Sequence, residues 1–116
     1  MTSHDVLTKA RELLSDKKKW TRGVIAVRKR YSAFVPCDPD NPAACQWCAT
    51  GALYKFDISC DTDAINEMRT ACIARHGYSI QTTNDLLGWE AILDCFDVAI
   101  VAALQKEMPL LGHHSE

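Results

Sequence analysis

The sequence predicts a mainly α protein, about four helices with a small β-hairpin insertion, folded as one compact domain over residues 1–116. Three observations predict it. A chain of 116 residues is long enough for one real core and too short for two. Four segments repeat apolar residues at the spacing of an amphipathic helix. One segment, GVIAVRKRYSAFVPC at 23–37, instead sets β-branched and aromatic residues on either side of a polar centre.

The first helix is DVLTKARELLSD at 5–16, with Val6, Leu7, Ala10, Leu13 and Leu14 on one stripe and Ser3 or His4 ahead of it as the cap region. Trp20-Thr21-Arg22-Gly23 ends the charged run that follows. The 23–37 segment reads as a short hairpin or two irregular strands, lying against the helices because an isolated hairpin is marginal. CDPDNPAA at 37–44 is turn chemistry. Asn41 as N-cap with Pro42 at the first helical position predicts a second helix from there, with Ala44, Trp47, Cys48, Gly51, Ala52 and Lys55 along one side. Cys60-Asp61-Thr62-Asp63 opens a third helix, whose stripe is Ala64, Ile65, Met68, Ala71 and Cys72 and which Gly77 closes. Residues 78–87 read as an ordered loop. The last helix starts at Gly88-Trp89 and has the strongest periodicity, in Trp89, Ile92, Leu93, Phe96, Ile100 and Ala103. Pro109 stops it, and 107–116 is expected to be a flexible tail.

Composition removes several function classes. Net charge is -2, from 13 basic and 15 acidic residues, so no global field recruits nucleic acid or an anionic membrane. No segment is apolar enough for long enough to span a bilayer, and the N-terminus lacks the apolar run of a secretory signal. The expected location is therefore cytoplasmic, where the six cysteines stay reduced. Cys72 and Cys95 fall on helical stripes as small core hydrophobes.

ACQWCATGALYKF at 44–56 is the stretch closest to chemistry, and four readings compete for it. A redox pair Cys45/Cys48 would need a thiolate at a helix start beside a parallel sheet, and no such sheet is expected. Zinc would need four ligands from Cys37, Cys45, Cys48 and Cys60, with His76 in reserve, but only one tight pair exists. No metal and no cofactor are expected. Catalysis would make Cys48 the nucleophile, His76 the base and Asn84 or Asp85 the orienting group. The fourth reading is packing: Trp47, Cys48, Gly51 and Ala52 form a small-residue seam that lets the last helix or the Asn84-Asp85 loop come close, with Cys45 a bystander. The Thr82-Thr83-Asn84-Asp85 loop caps the last helix, or else lines a groove walled by Trp20, Trp47 and Trp89.

Taken in order, Trp20-Thr-x-Gly23, Trp47-Cys48-x-x-Gly51-Ala52-Leu53, Asn84-Asp85 and Phe96-Asp97-x-Ala99-Ile100 resemble a family of small bacterial and phage proteins classed as a domain of unknown function. The resemblance covers nearly the whole chain and marks Trp20, Trp47, Cys48, Gly51, Asn84, Asp85 and Asp97 as motif positions. Two departures stand out. The family pattern has one cysteine in this helix, matching Cys48, and often a tryptophan before Asn-Asp, where this chain has Thr83. The resemblance implies a phage–host setting and no particular chemistry.

The resulting expectation is a non-enzymatic protein that binds a macromolecular partner. The expected site is the basic, aromatic hairpin: Arg22, Arg28, Lys29, Arg30, Tyr31 and Phe34. The partner expected there is an acidic protein surface, ahead of nucleic acid, with no membrane partner. The alternative is a cysteine-dependent hydrolase or transferase using Cys48, His76 and Asn84.

Overall fold

The computed structural model describes residues 1–57 and 63–107. Among them are four helices of eight residues or more, three short helical turns and a three-stranded antiparallel sheet. Helix α1 is Ser3–Leu14, started by Thr2 rather than Ser3 or His4. Thr2 and Asp5 make a reciprocal capping box, which satisfies two amides that a helix start leaves open. Asp16 then caps a 3-10 turn over Lys17–Lys19.

Strand β1 (Ala26–Arg30) and strand β2 (Ala33–Pro36) form the predicted hairpin, joined by Tyr31-Ser32. Burial along β1 does not alternate. Ala26 and Val27 are buried, Arg28 is half-buried, and Lys29 and Arg30 are exposed. The strand is thus rooted in the core at its start and projects at its end. Pro36 pairs opposite Val27 at a position whose N–H would point away from β1, so its ring blunts the open edge of the sheet.

The second predicted helix begins elsewhere. Residues Ala44–Trp47 are not helical but form strand β3, antiparallel to β1 on the side away from β2, with Cys45 the extra residue of a bulge. Helix α2 is Ala49–Phe56, and Cys48 is its N-cap. The Asn41-Pro42 signal is real but local. Asn41 Oδ1 accepts from Ala43 N at 2.8 Å and Asn41 O from Ala44 N at 2.9 Å, closing a turn that pairing with β1 then overrides.

Helix α3 is Asp63–His76, closed by Gly77 at φ +79. Its predicted stripe, Ala64, Ile65, Met68, Ala71 and Cys72, is buried in full. The expected opening at 60–62 and the expected tail beyond Glu107 lie outside the described residues. The predicted loop at 78–87 is helical: α4 (Ile80–Thr82), capped by Ser79, runs into a π-helical turn over Thr83–Leu87. Gly88, at φ +97, ends that turn, and α5 (Trp89–Glu107) follows. The core lies among α1, α2, α3 and α5, centred on Leu7, Leu14, Leu53, Met68, Ile92 and Phe96, all fully buried. No helix among the described residues is long and apolar enough to cross a membrane.

Candidate functional site

Most of the motif positions meet at one place. The side chain of Asn84, 0% exposed, sits between the loop after α1, the start of α2 and the π-helical turn. Its Oδ1 accepts from Trp20 Nε1 at 2.8 Å and from Ala49 N at 3.0 Å. Its Nδ2 donates to Thr21 O at 3.1 Å and to Asp85 Oδ1 at 2.9 Å. A side-chain amide has two donor hydrogens and two acceptor lone pairs, and here all four are used. Ala49 N is one of the amides that α2 itself leaves open, so Asn84 also acts as part of that helix's cap.

Asp85 closes a second ring of bonds. Its Oδ1 accepts from Gly23 N at 2.9 Å and its Oδ2 from Gln81 Nε2 at 2.9 Å. Burial pushes its pKa up, but the bonds from Gln81, Gly23 and Asn84, with the nearby Arg22 charge, outweigh this and leave it below the usual carboxylate value. Gln81 links Asp85 to Cys48: its Oε1 accepts from the Cys48 thiol at 3.7 Å. Nothing in the sequence reading marked Gln81. Its spacing of four from Asp85, which on a helix brings two side chains together, was the signal available.

Cys48 sits where a reactive thiol is often found, at a helix N-cap, with its sulfur accepting from Gly51 N at 3.3 Å. It is also 0% exposed. Burial raises its pKa, against the amides of Gly51 and Thr50 that favour a thiolate. Its bond to Gln81 requires the proton, since a thiolate has nothing to donate. His76 is not among its hydrogen-bond partners, and His76 Nε2 is buried without one. Cys48 therefore does the work of a capping serine in a dry setting. At Gly51 the close neighbour is neither the last helix nor the Asn84-Asp85 loop but the lead-in to β1, since a Cβ there would lie 1.9 Å from Ile25 O, while Asn84 approaches the start of α2 at Ala49 N. Ile25 O also accepts from Cys48 N at 3.1 Å.

The three tryptophans expected to wall a groove are each anchored by a hydrogen bond. Each uses its indole N–H as a tie: Trp20 to Asn84 and Trp89 to Leu14 O at 2.7 Å join distant segments, and Trp47 to Pro39 O at 2.9 Å closes the loop before β3. Asp97, the remaining motif position, stands apart and pins α5 to α1 through a two-pronged pair with Arg11, at 2.8 and 3.3 Å. Among the described residues no three His, Cys, Asp or Glu side chains are grouped to hold a metal ion, and Cys60 lies outside them. Cys72 and Cys95 are both fully buried, as expected of core residues. Burial and the adjoining Cys72 push Cys95 up to about 12.

The six hairpin residues are divided by the fold. Arg22 lies at the base, its guanidinium 5.0 Å over the Trp20 ring. The length of β1 carries Arg30 about 13 Å beyond Ala26. Pairing places Lys29 opposite Phe34 on one face of the hairpin, and Arg28 and Arg30 opposite Val35 and Ala33 on the other. Tyr31 stands at the tip, 91% exposed, and Phe34 is 55% exposed.

No curated protein and no solved structure matches the chain. A family model does match, and it spans the Trp20, Cys48, Asn84 and Asp97 positions together. Over residues 1–102 the chain belongs to the family of unknown function DUF6197.

Proposed function

We propose that the protein is a non-catalytic interaction protein that holds an acidic protein partner on the tip of its β1–β2 hairpin, in a phage–host setting. Tyr31 carries the reading. Among the described residues it is the one non-glycine position at positive φ, +58. That conformation costs a residue with a Cβ about 1 kcal/mol. The ring, 91% exposed, recovers little of this by packing, and glycine would suit the turn better. A strained, exposed aromatic is explained by a contact outside the folded chain. Beside it stands the Arg30 guanidinium, 5.9 Å from the ring, and the half-exposed Phe34 follows on β2, while Lys29 and the half-buried Arg28 lie further back along β1. Tyrosine and arginine, with tryptophan, are enriched among the side chains that carry most of the binding energy at protein interfaces.

The cysteine-dependent alternative has less behind it. It needs an accessible thiolate, and Cys48 is buried with its proton engaged by Gln81. It needs Asn84 free to orient a base, and all four of its bonding positions are taken.

The test is capture of partners by the wild type and by R28E/K29E/R30E. A protein held by the wild type and lost by a charge-reversed chain of unchanged circular dichroism and Tm supports the reading. A folded, charge-reversed protein that keeps every partner moves the site away from the hairpin. Retention of single-stranded oligonucleotide in place of protein would make the partner nucleic acid. Rapid stoichiometric labelling of Cys48 in the native protein at neutral pH, located by peptide mass spectrometry, would revive the enzyme.

A further inference from the structure

The sheet has the strand order β2-β1-β3, and its two edges differ. The β3 edge is covered: Thr21 N donates to Trp47 O at 3.0 Å, and Gln46 Nε2 to Lys18 O at 3.1 Å. The β2 edge is open. Cys37 N donates to Ala26 O at 3.0 Å, and from there Pro36, Val35, Phe34 and Ala33 face Val27, Arg28, Lys29 and Arg30 in turn. In an antiparallel ladder only every second pair exchanges hydrogen bonds, so Val35 and Ala33 bond to β1 as Cys37 does. The N–H and C=O of Phe34 therefore point outward, together with the C=O of Pro36, which has no N–H to offer. Phe34 is thus the one residue of β2 at which this edge can both donate and accept. The charge beside it has a single sign. Residues 17–37 contain no acid, and among the described residues Arg28, Lys29 and Arg30 take part in no ion pair. Asp38 and Asp40 come only past Cys37, at the rooted end of the sheet where Ala26 is buried.

We propose that β2 takes up an extended acidic segment of a partner protein as an added antiparallel strand, paired at Phe34, with an apolar residue opposite Phe34 and a carboxylate on either side of it. This deepens the hairpin reading above and rests on it. The strand period sets the pattern. The residue opposite Phe34 shares a face with that ring, which is 55% exposed. Its two neighbours fall on the other face, opposite Val35 and Ala33, where Arg28 and Arg30 stand one strand further in. Ala33 and Val35 are short, so carboxylates and guanidinium groups can meet above them across two strand spacings, about 10 Å. Asp38 and Asp40 would repel a longer acidic run, which confines the segment to the outer part of β2. A second copy of this chain fits less well, because edge-to-edge pairing would gather both copies' cations on one sheet. A phosphate backbone could accept from Phe34 N–H but would set its charge against Phe34 O. A peptide satisfies both groups.

The test is an amide NMR titration of the isotope-labelled full chain with the peptide acetyl-Thr-Glu-Val-Glu-Thr-amide. A second peptide carries an N-methyl group on its valine, which removes the one donor aimed at Phe34 O and leaves every charge in place. At millimolar peptide the expected shifts are confined to β1 and β2, and exchange of the Phe34 amide with solvent slows at least tenfold. N-methylation should weaken binding at least tenfold, and replacing both glutamates by lysine should abolish it. No shift at the hairpin, equal binding of the lysine peptide, or an unprotected Phe34 amide in the complex would overturn the proposal. Phe34 protection that grows with protein concentration in the absence of peptide would make the occupant a second copy and overturn it as well. If the N-methylated peptide binds like its parent and R28E/K29E/R30E releases both, strand addition is rejected while the cationic hairpin reading stands. If the charge-reversed, folded protein keeps the parent peptide, both are rejected.

Discussion

Trp20 and Asn84, 64 positions apart, are joined by a 2.8 Å hydrogen bond from the indole N–H to the side-chain carbonyl. The same oxygen takes the first amide of α2, and the same amide group holds Thr21 O and Asp85. Asn84 is thus a single buried group on which three segments close, and it behaves as one unit with the indole.

Removing that group should unfold much of the protein's margin. Asn84→Ala leaves an indole N–H, a backbone amide, a backbone carbonyl and a carboxylate oxygen short of a partner at a site with no exposure. Each such group costs about 1–3 kcal/mol, reduced where water can enter. We expect a loss of about 3–4 kcal/mol and a fall in Tm of more than about 10 °C. Asn84→Asp, the same shape, should be at least as damaging, because it sets a second carboxylate against Asp85 and cannot donate to Thr21 O. Thermal melts of the two variants check this, and an Asn84→Ala protein that melts like the wild type rejects the clasp.

Gly51→Ala is a cleaner trial, because helix propensity and packing push in opposite directions. In an open helix the change would gain about 1 kcal/mol. Here the new methyl meets a backbone oxygen, Ile25 O, at 1.9 Å, and that oxygen cannot swing aside as a side chain would. It also accepts from Cys48 N, so moving it loosens the cap of α2. We expect a net loss of about 2 kcal/mol or more in urea denaturation. A stabilised Gly51→Ala variant would mean that α2 and Ile25 are not in contact in solution.

Much of this site was legible in the sequence, though not its wiring. Trp20, Cys48, Gly51, Asn84 and Asp85 stand out as motif positions, and the structure brings all five together. What could not be read was the frame. Asn41-Pro42 carries the mark of a helix start, and only pairing with β1, a contact between distant segments, turns Ala44–Trp47 into a strand and Cys48 into a cap. Cysteine is not among the residues that announce an N-cap, so the true start of α2 gave little local signal. The π-helical turn likewise has no sequence signature, and it is what swings Asn84 inward and Leu86 outward.

The acid limb of the stability curve should carry Asp85's signature. Its folded-state pKa is below the unfolded value, so between the two the unfolded chain binds more protons, and stability rises with pH. The contribution is complete above the unfolded pKa, about 4, and is lost as pH falls through the lower folded value. Asp5, lowered by its bonds with Thr2, acts in the same direction at the exposed start of α1. Urea midpoints from pH 6 down to pH 3 should fall for the wild type and fall less steeply for Asp85→Asn. Equal slopes would show that the carboxylate is not engaged as described.

The last prediction separates stability from binding at one residue. Tyr31 occupies a backbone conformation at φ +58 that glycine adopts without strain, and its ring is 91% exposed. Tyr31→Gly relieves the strain at little cost in packing, so we expect the variant to be as stable as the wild type or up to about 1 kcal/mol more stable. The same change removes the aromatic platform beside Arg30 and Phe34, and partner binding should weaken at least tenfold. Tyr31→Asn, which also tolerates positive φ, should behave like the glycine variant. Chemical denaturation and partner titration on one preparation read both quantities. If Tyr31→Gly binds as well as the wild type, the ring has no part in recognition. If it is clearly less stable, the ring serves the fold instead, and the hairpin tip loses the observation that marks it as a contact surface.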